Sequence, residues 1–201
     1  WAVYPLGPSV LVALIAVLAW RELAQHHPTA PKRFQWACAA LLALQLALMG
    51  AEVPGAIALV PALALLQLIR WWQQPAPARL LWLVFLLLCA GLGFVLQLER
   101  LPLDMAQRRA WFFYLFTVTA LNDVAQFISG KCLGHHKIAK TLSPNKTWAG
   151  LLGGVVVSAL VSLALGSHLQ LAPAPFLLAL GAALSLAGFF GDLMFSAAKR
   201  A

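Results

Sequence analysis

Apolar residues in this chain run in blocks of about 17 to 25, the length that crosses roughly 30 Å of hydrocarbon as a helix. Seven blocks qualify, at residues 3–20, 34–50, 54–70, 80–98, 110–129, 148–166 and 174–198. None of them alternates apolar with polar residues, as a membrane strand would, so all seven are predicted to be helices. The breaks carry turn-forming residues: His26 to Pro31, Pro54, Gln73 to Pro77, Pro102, Ser143-Pro144-Asn145, and Pro173 with Pro175. No internal repeat is evident. The expectation is an all-α integral membrane protein, a polytopic bundle of about seven transmembrane helices. Residues 1–100 hold about four of the spans, and 101–201 hold the rest around a loop at 130–147.

Composition sharpens this picture. The chain has 201 residues, 62% of them hydrophobic and 10% charged, with a mean hydropathy of +0.85. Soluble domains carry about a quarter charged residues, so a soluble enzyme, a disulfide scaffold, a coiled coil and a disordered tail are all excluded. Net charge is +8, from 14 Lys and Arg against 6 Asp and Glu. The basic residues lie in short breaks between spans, which points to topology and anionic lipid headgroups rather than nucleic acid. Segments 21–33, 70–79, 131–146 and 199–200 hold 11 of the 14, so those ends are expected to face the cytoplasm. Trp20, Trp36, Trp71, Trp72 and Trp82 lie near span ends, as interfacial anchors do. Cys38 and Cys89 fall in spans and Cys132 in the basic loop, without metal or disulfide spacing.

Chemistry concentrates in the second half. Asp123 and Asp192 are the only acidic residues inside predicted spans, where a charged carboxylate costs at least ~2.5 kcal/mol. Either each is a structural carboxylate satisfied by a lysine, or the two share a divalent ion. Asp123 has Asn122 beside it, with Gln126 and Gly130 on the same helix face. Asp192 has Gly188 four before it, Ser196 four after and Lys199 seven after. The loop between them holds Lys131, Lys137, Lys140 and Lys146 with His135 and His136 and no acid. Two histidines fall short of a zinc site. The loop enters the sixth span through Ser143-Pro144-Asn145-Lys146-Thr147, then Gly150, Gly153 and Gly154. A helix start with free N–H groups and a nearby lysine suits an anion; the plainer reading is a topogenic loop followed by a Gly150/Gly154 packing motif. Basic loop, helix start and two carboxylates together suggest nucleotidyl or phosphoryl transfer onto a lipid.

These residues in this order resemble the CTP:phosphatidate cytidylyltransferases, or CDP-diacylglycerol synthases. The resemblance rests on Asp123, Gly130-Lys131, Gly134-His135-His136-Lys137, Ser143-Pro144-Asn145-Lys146-Thr147, Gly150 and Gly153-Gly154, then Gly191-Asp192-Leu193, Ser196 and Lys199-Arg200. It covers roughly residues 120–200. It implies that CTP and phosphatidic acid react to CDP-diacylglycerol and pyrophosphate with Mg²⁺. On that footing Asp192 and Asp123 are the metal ligands and, with Lys146, the catalytic set. Ser143, Thr147, Lys131, Lys137, Asn122, Ser196, Lys199 and Arg200 are the substrate-binding candidates. A bacterial inner membrane, with the site on the cytoplasmic side, and a homodimer are further expectations.

The chain departs from the family pattern at Gln126, Phe127 and Ala198, where the family usually has Ala, Tyr and a larger aliphatic residue. The family also continues beyond Lys-Arg into Lys-Asp, His-Gly-Gly and Asp-Arg-x-Asp. The chain is therefore expected to be a fragment with little activity alone. A truncated non-catalytic paralogue and a CTP-dependent enzyme acting on another lipid are the alternatives. The basic loop and the lack of repeats argue against a transporter.

Overall fold

The computed structural model describes residues 101–139 and 143–200, together with scattered positions before them; the side chains of Ala139, Pro144 and 198–200 lie outside the description. The chain forms two compact units, Trp1–Leu101 with Ala198–Ala201, and Pro102–Ala197. In the first unit the described positions before Leu101 are helical, but the spans expected at 3–20, 34–50, 54–70 and 80–98 lie largely outside the described residues, and with them the count of seven. The second unit carries the candidate chemistry. Helix dominates it.

Helix α1 runs Met105–Leu133. Asp104 caps it, its Oδ1 accepting from the Gln107 N–H at 2.7 Å, which satisfies one of the four donors a helix start leaves open. At 29 residues the helix is about 43 Å long, more than the hydrocarbon needs. The predicted 110–129 was its apolar middle. Arg108, Arg109 and Lys131 ride on the ends that reach toward water.

The loop at 130–147 is not all irregular. Strand β1, Lys137–Ala139, pairs antiparallel with β2, Ser143–Thr147. Lys137 stands opposite Thr147 and Ala139 opposite Ser143, with an irregularity between them. The described residues are mostly helical, as expected, and this short hairpin is what the expectation lacked. Strands of 3 and 5 residues are too short for an alternating pattern to register, and Pro144 within the second disguises it further. Backbone pairing still favours the hairpin, because otherwise those N–H and C=O groups would stand unpaired beside a membrane.

Helix α2, Trp148–His168, starts at Thr147, whose hydroxyl accepts from the Gly150 N–H at 3.1 Å. A tight turn follows, in which the Leu171 N–H returns to the Gly166 carbonyl at 2.9 Å and Gln170 takes a left-handed φ of 52°. Helix α3, Ala174–Arg200, comes back toward the hairpin end.

The three helices pack along stripes spaced four residues apart. Tyr114, Val118, Asn122 and Gln126 lie on α1; Gly150, Gly154, Ser158, Ser162 and Gly166 on α2; Leu177, Gly181, Ser185 and Phe189 on α3; all are buried. Small residues on two faces let backbones approach closely. Polar groups in the seam bond across it. Ser162 donates to the Leu177 carbonyl, so the Tyr114 hydroxyl donates to Ser162 Oγ at 2.5 Å. Outside, Phe113, Phe116, Leu152, Val156, Leu160 and Phe176 are exposed.

Polar residues inside and large apolar ones outside reverse the pattern of a water-soluble bundle. Among the described residues Trp148–His168 and Ala174–Ala197 are long and apolar enough to cross a membrane. The protein is a membrane protein, and lipid is the solvent its outer faces suit.

Candidate active site

Three elements bring charge to one cavity of about 280 Å³, at the end of the bundle where the hairpin sits. Asp123 comes from α1, Lys146 from β2 and Asp192 from α3. The Lys146 ammonium lies 2.6 Å from Asp192 Oδ2 and 5.4 Å from the centre of the Phe189 ring. Asp192 keeps 63% of its side chain exposed and Lys146 21%. An ion pair that open to solvent adds little stability, so fold stability does not explain why the two are together. Asp123 lines the same cavity and feels the charges of both Asp192 and Lys146.

Lys146 is aimed by its neighbour. Thr147 is buried, and its side chain fills the space beside Gly130 and Gly134, where a Cβ would meet Thr147 Oγ1 at 3.1 and 2.7 Å. The glycines spelled out by the sequence thus let α1's end, the hairpin and α2's start close around one threonine. With Thr147 turned inward as the cap, Lys146 projects to the cavity.

Asp123 is held through a chain of amides. Asn122 Nδ2 donates to Asp123 Oδ1 at 3.2 Å. Asn122 Oδ1 in turn accepts from Gln126 Nε2 at 3.1 Å and from Ser158 Oγ at 3.0 Å. Two donors on its oxygen leave the amide one orientation, with the NH₂ toward Asp123. Asn122 is 3% exposed and does not line the cavity. It meets the cavity through Asp123, the carboxylate to which it donates. Gln126, a departure from the family pattern, belongs to this network. Ser158→Ala should remove one interhelical hydrogen bond, at a cost of about 1 kcal/mol, while Gln126 Nε2 keeps the Asn122 amide in its orientation. The expected readout is a lowered midpoint of thermal unfolding in nanodiscs.

Other expected site residues fall differently. Ser143 is buried and outside the cavity lining. Thr147 lines the cavity, but its hydroxyl accepts the Gly150 N–H, and the Trp148 N–H goes to the His136 carbonyl at 3.1 Å. Two of the donors that recommended this helix start as an anion site are therefore engaged. Lys131 is exposed, with its ammonium 5.8 Å from the centre of the Phe127 ring, and Lys137 is exposed on β1. Both stand near the site without lining it. Ser196 is half-buried one turn beyond Asp192, also outside the lining. Lys199 and Arg200 belong to the last turn of α3, but their side chains lie outside the described residues. Cys132 is an exposed free thiol; Cys38 and Cys89 lie outside the described residues.

Sequence reasoning missed Phe189 and the buried serines 158, 162 and 185. A signal for the serines was present: small residues recur every fourth position from Gly150 to Gly166. It is weak by itself, because Ser and Gly are common in membrane helices.

The donor set suits a hard cation. Among the described residues no group of three or more His, Cys, Asp or Glu converges, but Mg²⁺ ordinarily takes one or two carboxylates and completes its shell from water and substrate phosphates. Asp123 and Asp192 supply that number of carboxylates to one cavity.

Comparison with known proteins bears on the chain as a whole. The profile of the cytidylyltransferase family matches residues 2–201. A phosphatidate cytidylyltransferase of Chlamydia muridarum is 41% identical over 96 residues, 45% of this chain and 32% of that protein. One from Brucella suis is 30% identical over 194 residues, 96% of this chain and 69% of its own length. One from Staphylococcus epidermidis is 33% identical over 111 residues, covering 55% and 41% respectively. The chain thus spans about a third of the length of the first curated relatives it matches. No solved structure matches it.

Proposed function

This chain belongs to the cytidylyltransferase family, and from that premise we propose that the complete protein is a phosphatidate cytidylyltransferase of phospholipid synthesis. CTP and phosphatidic acid would be its substrates, CDP-diacylglycerol and pyrophosphate its products. The observation that carries this reading is the convergence of Asp123, Lys146 and Asp192, from three separate elements, on one cavity at the basic end of the bundle. In the reaction a phosphate oxygen of the lipid forms a bond to the α-phosphorus of CTP, and the bond from that phosphorus to the β-phosphate oxygen breaks. The leaving pyrophosphate carries the electron pair. No covalent enzyme intermediate is required.

The reading gives each residue a part. Lys146 binds phosphate oxygens, because its ammonium lines the cavity and is only part-exposed. Asp123 and Asp192 would hold Mg²⁺, which supplies charge neutralisation on the phosphates when bound. Lys131 and Lys137, exposed around the mouth, raise the local concentration of anionic substrates. Lys199 and Arg200 are assigned to the lipid phosphate. By the distribution of basic residues the site faces the cytoplasm, and the membrane proposed is the bacterial inner membrane. A homodimer remains part of the proposal, checked by crosslinking in native membranes.

The decisive experiment is Mg²⁺-dependent transfer of labelled CMP from CTP into vesicle lipid by the complete protein. Labelling that requires phosphatidic acid supports the assignment. Labelling only with another lipid acceptor would reassign the substrate, and none with any acceptor would overturn the enzymatic reading. Lys146→Ala should raise the KM for CTP about tenfold or more, the worth of one hydrogen bond to a charged group. An unchanged KM would return the Ser143–Thr147 segment to a purely structural role.

A further inference from the structure

Lys146 faces two claims on one ammonium. It bonds Asp192 Oδ2 at 2.6 Å, and it lines the cavity into which substrate phosphates would enter. A divalent ion on Asp192 would meet that ammonium at close range, and like charges so placed repel. The ion and the lysine therefore cannot share Asp192 comfortably. We propose that Lys146 is the resident counter-cation of Asp192 and is exchanged for the divalent ion, moving to the nucleotide phosphates as the ion takes the carboxylate. This rests on the reading of Asp192 as a metal ligand.

The surroundings allow such a move. Lys146 sits on a strand of the hairpin, joined to Asp192 by one side-chain contact, and its ammonium lies over the Phe189 ring. An aromatic face supports a cation without demanding a particular geometry, so the ammonium can slide toward the cavity without losing all its stabilisation. The cavity, at about 280 Å³, has space for phosphate groups beside the carboxylates. The consequence is coupling: nucleotide draws Lys146 away and opens Asp192, and the ion on Asp192 drives Lys146 toward phosphate. Metal and nucleotide would then assist each other's binding through one side chain.

The test measures Mn²⁺, as a stand-in for Mg²⁺, binding to the complete protein in nanodiscs by electron paramagnetic resonance, without nucleotide. Lys146→Met and Lys146→Gln should each bind Mn²⁺ about tenfold more tightly than the unaltered protein, because the competing charge is gone. Lys146→Arg, which keeps the charge, should bind as the unaltered protein does. Adding Asp192→Asn to Lys146→Met should remove the gain. Equal or weaker Mn²⁺ binding by both neutral variants overturns the exchange. If Asp192→Asn alone abolishes Mn²⁺ binding while the neutral lysine variants show no gain, the metal reading stands and only the exchange falls. If Asp192→Asn leaves Mn²⁺ binding intact in both backgrounds, the metal reading itself fails, and the exchange with it.

Discussion

Asp192→Asn should lower CMP transfer by the complete protein at least ~10²-fold, the usual loss when one charge-stabilising group is removed from an active site. The substitution keeps the size, removes the charge and turns one acceptor oxygen into a donor NH₂. Asp192 is largely exposed and its ion pair with Lys146 is open to water, so the fold should tolerate the change. The pattern of the loss is as informative as its size. Lys146 loses its partner and stays beside the cavity, so affinity for CTP should hold or rise while kcat falls. Excess Mg²⁺ should restore little. Near-normal turnover would remove Asp192 from the reaction, and a loss confined to the KM for CTP would recast it as a nucleotide contact.

A large structural effect should come from Gly181→Ala, set against Gly191→Ala on the same helix. A Cβ at Gly181 would lie 2.5 Å from the Ser158 carbonyl oxygen and 2.9 Å from the Ala159 Cα, both backbone atoms of α2 that cannot rotate away. The helices would have to separate, at a cost of about 1–3 kcal/mol for overpacking. At Gly191 a Cβ would meet nothing within 4 Å among the described residues, and Ala is the better helix former by up to ~1 kcal/mol. Thermal unfolding in nanodiscs should show a lowered midpoint for the first variant and an unchanged or raised one for the second. Because α3 also carries Phe189 and Asp192, Gly181→Ala should reduce transfer, although it lies far along the helix from the cavity. Equal midpoints for the two variants would mean that α2 and α3 do not pack through this glycine.

Both outcomes depend on features that the linear pattern reveals unevenly. The spans at 148–166 and 174–198 are legible because twenty apolar residues have one stable arrangement in lipid. Asp123 and Asp192 stand out for the converse reason, since a carboxylate in an apolar run is too costly to be incidental. The sequence also marks the basic loop and its glycines. The β1–β2 hairpin is not legible, because its stability comes from pairing two short segments whose side chains carry no distinguishing period. Nor is the inward turn of Asn122: at adjacent positions on a helix, which of Asn122 and Asp123 faces the seam depends on where α2 lies.

By itself, then, the amino-acid order determined that this chain lives in a membrane, showed the two apolar spans at 148–166 and 174–198, and singled out Asp123 and Asp192 as charges set in apolar runs. Only the tertiary structure decided that Lys146 belongs with Asp192, that Thr147 caps a helix, and that Asn122 serves Asp123. Hydrophobicity is a sum over neighbours in the chain and can be read there. Partnership between charges 46 residues apart is set by how helices pack, and packing here is decided by close approach at Gly150, Gly154 and Gly181, a matter of ångströms between backbones.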